Sequence, residues 1–262
     1  MARFSGRCVV ITGAGTGIGL ATSRLLAAQG AHIVMAGRDA TRGEREAAAI
    51  RADGGDAEFV ATDVADDAQV ADLAVKAAAA TGRIDLWFGN AGGEGPIGAI
   101  EDWPDAELTE LLAVNVKGIL SGLKHASAHM QAGGQIINTA SFVGAHLPVP
   151  IAIPYGATKA AVVAASQAAA IALGERGISV LSICPWIIDT PMVDRLTGGA
   201  GTEAKNGFAA GFAPSGKLTP SEHVAEVVAD LWDGTRPSTN GAAYLIDAGP
   251  TVTPLTATPR SI

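Results

Sequence analysis

Cys8-Val9-Val10-Ile11-Thr12-Gly13-Ala14-Gly15-Thr16-Gly17-Ile18-Gly19 decides the fold. Five residues suited to a buried strand run into a glycine-rich turn, and a helix-period stretch follows from Ile18 to Gln29. Glycines there let the backbone turn tightly and approach a pyrophosphate, which then sits at the positive end of the new helix. Ile18 stands where the common G-x-G-x-x-G pattern has its last glycine. What fits is G-x-x-x-G-x-G, through Gly13, Gly17 and Gly19. The plainer reading, a glycine-rich strand-to-helix turn without ligand, stays open for this stretch taken alone.

Outward from it the chain alternates. Strand-like runs lie at 32–36, 57–61, 84–88, 135–139, 179–183 and 243–246. Alanine-rich, helix-period stretches lie between them at 42–52, 68–80, 106–130, 157–173 and 221–232. Such alternation predicts βαβ units: a three-layer α/β fold, with a doubly wound parallel sheet in a single domain. One insertion, 189–217, rich in Gly, Ala and Phe, is expected to be a lid over a site. The tail at 248–262, with its prolines and threonines, is expected to be irregular.

A chain of 262 residues with 48 % hydrophobic content can build one large core. Its net charge of -8 argues against nucleic acid or an anionic membrane as partner. Cys8 and Cys184 each sit inside an apolar run, as buried reduced thiols do, and the five histidines show no metal spacing. The first residues run straight into a strand with no leader pattern, and no long apolar run is free of Gly and polar residues. A soluble cytoplasmic protein that meets a small-molecule substrate is the expectation.

Several residues then fall where open α/β sheets bind ligands, at the carboxyl ends of strands. Asp63 and Val64 follow the third strand, Asn90-Ala91-Gly92 the fourth, and Ser141 the fifth. The second strand ends Gly37-Arg38-Asp39. Gly37 stands where an NAD site has its ribose-binding acid, and Arg38 suits a 2′-phosphate, which favours NADP(H). NAD(H) stays possible through Asp39, and Asp39 can equally cap the next helix. Asn115 lies in an apolar helical neighbourhood for which its propensity is poor. Tyr155-Gly-Ala-Thr-Lys159 sets a phenol and an ammonium one helical turn apart on one face. A nearby ammonium favours phenolate and would pull its pKa from about 10 toward working pH. Alone, such a pair is ordinary helix surface.

Taken together, Thr12 to Gly19, Asp63, Asn90-Ala91-Gly92, Asn115, Ser141 and Tyr155-x-x-x-Lys159 resemble the short-chain dehydrogenase/reductase family, common single-domain type, in family order to about Asp247. The resemblance implies Tyr155 as acid/base, with Lys159 lowering its pKa and holding the nicotinamide ribose. It implies that Ser141 orients the carbonyl or alcohol and that Asn115 helps hold a water. It further implies cofactor contacts from Gly13, Thr16, Gly17, Ile18, Gly19, Arg38, Asp63, Val64, Asn90, Ala91, Gly92, Pro185 and Thr190. The activity implied is hydride transfer between a nicotinamide cofactor and a ketone or secondary alcohol, by a homotetramer pairing through 106–130 and 157–173.

Two departures stand out. The family's Asn-Asn-Ala-Gly reads Gly89-Asn90-Ala91-Gly92, and its Pro-Gly reads Pro185-Trp186. A Trp lacks Gly's backbone freedom, so the loop path or pocket wall is expected to differ. Trp186 is either a substrate contact or core. His146, in the loop from Ser141 to Tyr155, is either a substrate handle or a loop residue without function. Phe208 and Phe212 suggest an apolar substrate or simply anchor the lid. An NADP-dependent ketone/alcohol oxidoreductase leads, ahead of an NAD-dependent alcohol dehydrogenase and of a non-catalytic dinucleotide-binding protein.

Overall fold

The sheet runs in the order β3-β2-β1-β4-β5-β6-β7-β8. The computed structural model describes residues 2–199, 201–212, 216–246 and 252–255. The parallel strands are β1 (Cys8–Thr12), β2 (His32–Gly37), β3 (Asp56–Ala61), β4 (Leu86–Gly89), β5 (Gln135–Thr139), β6 (Ser179–Pro185) and β7 (Ala243–Ile246). Helices cover both faces of the sheet, so its central strands are buried throughout and read as unbroken apolar runs, as β1 does. Strand order reverses between β1 and β4. That places a crevice at their carboxyl ends, beyond Thr12 and Gly89.

The helices are α1 (Gly17–Ala28), α2 (Ala40–Ala52), α3 (Asp67–Thr81), α4 (Asp105–Leu112), α5 (Gly118–Ala128), a single irregular turn α6 (Phe142–Ala145), α7 (Ile153–Gly174), α8 (Pro191–Leu196), α9 (Gly201–Phe212) and α10 (Ser221–Asp233). One layer of core joins α1 and α10 to the sheet through Leu26, Ile33, Val224 and Leu231. The other joins α3, α5 and α7 through Val70, Leu73, Trp87, Ala126 and Ala170. The helical stretch Pro150–Gly174 is long and apolar enough to cross a membrane by length and composition, with mean hydropathy 1.3; here α7 packs one face on β6.

Three expectations change. The predicted helix 106–130 is two helices joined by a π turn, Ala113–Lys117. Inside the insertion lie α8 and α9, with Phe208 in the cluster of Phe142, Ile187 and Val193; the side chain of Phe212 lies outside the described residues. Finally, β8 (Val252–Leu255) pairs antiparallel with β7, so that part of the tail is not irregular. The rest of 248–262 lies outside the described residues.

Candidate active site

A cleft of about 520 Å³ opens at the carboxyl ends of β1, β4, β5 and β6. It brings together Gly13, Thr16, Gly17 and Ile18 from the first turn, and Asn90, Ala91 and Gly92 from the loop after β4. Ser141, Tyr155, Lys159, Pro185, Trp186 and Thr190 complete the set.

At the glycine end the backbone is packed against itself. A Cβ on Gly19 would lie 2.3 Å from the Gly13 carbonyl oxygen and 2.9 Å from Asn90 Nδ2. Gly17 has φ +50°, and a Cβ there would meet Thr190 Cγ2 at 2.9 Å. Side chains would fill this cradle, so its open backbone fits a pyrophosphate at the start of α1. Thr12 fixes the adjoining loop: its hydroxyl accepts from the Asn90 N–H at 2.9 Å and the Ala91 N–H at 3.0 Å. Asn90 Nδ2 donates back to the Thr12 carbonyl, and Asn90 Oδ1 accepts from Thr139 Oγ1, both at 3.2 Å.

A smaller cavity of about 150 Å³ continues past Gly13, lined by Gly37, Arg38, Asp63 and Val64. Asp63 Oδ1 accepts from the Ala65 N–H at 3.0 Å, which braces its own turn. Arg38 Nη1 pairs with Glu110 Oε1 at 3.1 Å, both side chains 65 % exposed. Asp39 caps α2, accepting from the Arg42 N–H at 2.9 Å.

At the other end, Lys159 is buried and donates from Nζ to the Thr139 carbonyl at 2.8 Å, 5.5 Å from the centre of the Tyr155 ring. Burial pulls its ammonium down to about 8. Burial also pushes the Tyr155 phenol up to about 12, against a hydrogen bond with Ser141 that favours phenolate. In the protein alone desolvation opposes both charges, so the net shift of the phenol is upward rather than toward working pH. Ser141 lies within reach of Tyr155 because it caps the turn α6, accepting from the Val143 N–H at 3.2 Å.

Asn115 does not line the cleft. It is fully buried behind it in the π turn, a device common at functional sites. Its Oδ1 accepts from the Gly93 N–H at 2.9 Å. Its Nδ2 donates to the Gly93 carbonyl and to Thr158 Oγ1, both at 3.0 Å. Thr158 in turn donates to the Tyr155 carbonyl at 2.7 Å. One side chain thus ties the loop after β4 to the helix carrying Tyr155 and Lys159. Gly92 is bare on the facing side: a Cβ there would stand 3.2 Å from Asn115 Oδ1 and 3.3 Å from Lys159 Nζ.

Both sequence departures have a physical reason. A Cβ at Gly89 would come 2.4 Å from Asn138 Oδ1, whose amide occupies that space and donates to Ser166 Oγ at 3.0 Å. Trp186 follows β6 in ordinary ladder pairing, its N–H donating to the Ile246 carbonyl at 2.8 Å, so no glycine is needed. Its ring stacks on Phe142 at 4.3 Å and forms part of the cleft wall. His146 stands outside the lining, exposed and tilted against Trp186 at 6.0 Å.

Thr139 and Thr158 were missed as positioning residues because a threonine at a strand end or in a helix carries no spacing signal, and Thr12 was read only as the start of the glycine motif. Glu94 and Arg195 were missed as well. They line the cleft and join across it, Nε to Oε1 at 2.5 Å and Nη2 to Oε2 at 2.9 Å.

The family model for short chain dehydrogenases matches residues 7–200. The chain is 35 % identical over 248 residues to cis-4-hydroxycyclohexanecarboxylate dehydrogenase of Sinomonas cyclohexanicum, covering 94 % of this chain and 97 % of that one. It is 34 % identical over 254 residues to levodione reductase of Leifsonia aquatica, covering 94 % and 95 %. A crystal structure of a short-chain dehydrogenase from Burkholderia cenocepacia J2315 in complex with NADP superposes with a TM-score of 0.85 at 30 % identity, covering 94 % of this chain and 98 % of that one. With its glycine cradle and its Ser141, Tyr155 and Lys159 cleft, the chain belongs to the short-chain dehydrogenase/reductase family of NAD(P)-dependent oxidoreductases.

Proposed function

We propose that the protein interconverts an apolar ketone and its secondary alcohol with NADP(H), Tyr155 acting as acid/base. The observation that carries this reading is the convergence of Ser141, Tyr155 and Lys159 on an otherwise apolar cleft that ends in the glycine cradle. Gly13, Thr16, Gly17, Ile18 and Gly19 would hold the pyrophosphate. Arg38 would take the 2′-phosphate, and Asp63 and Val64 the adenine. Asn90, Ala91, Gly92, Lys159, Pro185 and Thr190 would border the nicotinamide. When bound, the dinucleotide supplies or accepts hydride.

The chain's own residues handle the proton and the oxygen. Tyr155 holds its proton firmly in the desolvated cleft, the state in which it can donate to a carbonyl oxygen during reduction. Ser141 shares a hydrogen bond with that phenol and, with it, would stabilise charge developing on the oxygen. Phe142, Val143, Val149, Trp186 and Phe208 exclude water and favour an apolar substrate. Asn115 acts through the loop and helix it ties together, and His146 from the loop beside Trp186.

The NADP preference is supported by Asp39 being occupied with the α2 cap while Arg38, among the described residues, is held by an exposed pair worth under about 1 kcal/mol. We further read the protein as a cytoplasmic homotetramer. Leu120 on α5 and Ile171 on α7 expose apolar side chains suited to helix-on-helix pairing, and Cys8 and Cys184 are free and buried. A panel of ketones and secondary alcohols, followed by the absorbance of reduced nicotinamide with both dinucleotides, tests the reading. Arg38→Ala is expected to weaken NADPH about tenfold and NADH little, one good charged hydrogen-bond pair. Equal rates with both dinucleotides before and after the substitution would overturn the preference.

A further inference from the structure

Beyond the reacting groups, one ion pair spans the mouth of the cleft. Glu94 lies on the loop after β4, on one rim. Arg195 lies on α8, on the other. The guanidinium is bidentate on the carboxylate, the geometry that makes such pairs strongest. Glu94 is 22 % exposed at its side chain and Arg195 58 %, so the carboxylate is the partly desolvated member and has most to lose if left alone. Arg195 holds the Glu94 carboxyl below the usual carboxylate range. The neighbouring charges are accounted for: Asp194 pairs with Lys205 of α9 at 2.6 Å, and Lys205 also holds Asp189 at 2.8 Å. Ion pairs thus lock α9 to α8, and α8 to the far rim. Apolar packing reaches this segment through Val193 and Phe208.

We propose that Glu94 and Arg195 are positioning residues, a clasp that holds α8 across the cleft mouth and so seats the lid over the substrate. This role rests on the ketone/alcohol reading above. Neither residue touches the reacting atoms; they set how often the mouth opens. Opening the clasp strands a partly buried carboxylate, which biases the segment toward closure, and salt weakens the bias by screening.

The test uses amide hydrogen exchange of the whole protein, read at 191–196 and 201–212. Glu94→Gln and Arg195→Met should each speed exchange there about threefold, near the upper end for exposed pairs, with other segments unchanged. Raising salt to about 1 M should speed exchange at 191–196 more in the unsubstituted protein than in either variant, since the Lys205 pairs are present, and screened, in all three. This readout needs no turnover, so it stands or falls apart from the assigned reaction. Where a substrate is in hand, both variants should raise its KM several-fold with a smaller change in kcat and unaltered dinucleotide affinity. Wild-type protection of 191–196 in both variants, or salt acting on the variants as it does on the unsubstituted protein, would overturn the clasp.

Discussion

Gly19→Ala should be the most damaging single methyl group in the first turn. The added Cβ falls 2.3 Å from the Gly13 carbonyl oxygen and 2.9 Å from Asn90 Nδ2. Neither neighbour is the loose end of a flexible side chain. One is backbone, and the other is held by hydrogen bonds to Thr12 and Thr139. Overpacking of this kind costs about 1–3 kcal/mol. Alanine regains up to about 1 kcal/mol of helix propensity at this position in α1. The clash wins, because relieving it moves the loop rather than one rotamer. A net loss of about 1–2 kcal/mol lowers Tm by about 2–8 °C in a chain of this size. The same movement displaces the Gly13 turn, so dinucleotide binding should weaken about tenfold, equivalent to 1.4 kcal/mol. Gly15→Ala is the internal control. Its Cβ would meet Arg42 Cδ at 3.7 Å, an ordinary contact, and its backbone needs no positive φ. It should leave Tm unchanged or raise it slightly through the unfolded chain. Thermal melts and titration with dinucleotide read both variants. Equal Tm and affinity for the two would refute the packed-cradle reasoning.

Two further outcomes follow from the buried polar groups. Asn115→Ala strands the Gly93 N–H and carbonyl, so the melting temperature should fall by several degrees, about 1–3 kcal/mol, with turnover reduced by the loosened loop; an unchanged melt would contradict the role. Lys159 sits near 8 in the fold against 10.5 when exposed. Between those values the unfolded chain binds more protons at this lysine, so its own contribution to stability should rise with pH from about 8 to 10.5, by roughly 3 kcal/mol, while the buried thiols of Cys8 and Cys184 pull the other way above pH 9. Urea midpoints of the unsubstituted protein should therefore gain on those of Lys159→Met across that window. Parallel pH curves would show that the lysine is not desolvated as described.

The sheet was legible because its central strands are buried on both faces, which leaves the apolar run of β1 and the Ile136-Ile137 centre of β5, both with the predicted bounds. β4 begins at Leu86 and not Ile84, because the Ile84 N–H donates to His129 and Asp85 turns its carboxylate to the Cys8 N–H. The π turn at 113–117 could not be read. It adds one residue to a helix without changing the apolar character around it, and its purpose appears only when Asn115 meets Gly93 and Thr158. The helices α8 and α9 escaped because α8 is only six residues long, glycines interrupt the period of α9, and ion pairs hold both. The glycine cradle, Ser141, Tyr155 and Lys159 were visible as motifs. The direction of the Tyr155 shift was not, since spacing along a helix carries no information about desolvation.

Replacement of Tyr155 by Phe tests the central claim most directly, with hydride transfer and dinucleotide affinity measured on the same preparation. The ring that fills the cleft wall stays and only the proton-carrying oxygen goes. Affinity should hold while turnover falls by about 10²–10⁴, the usual worth of a positioned acid/base. Retention of most of the turnover, with affinity intact, would mean that another group supplies the proton.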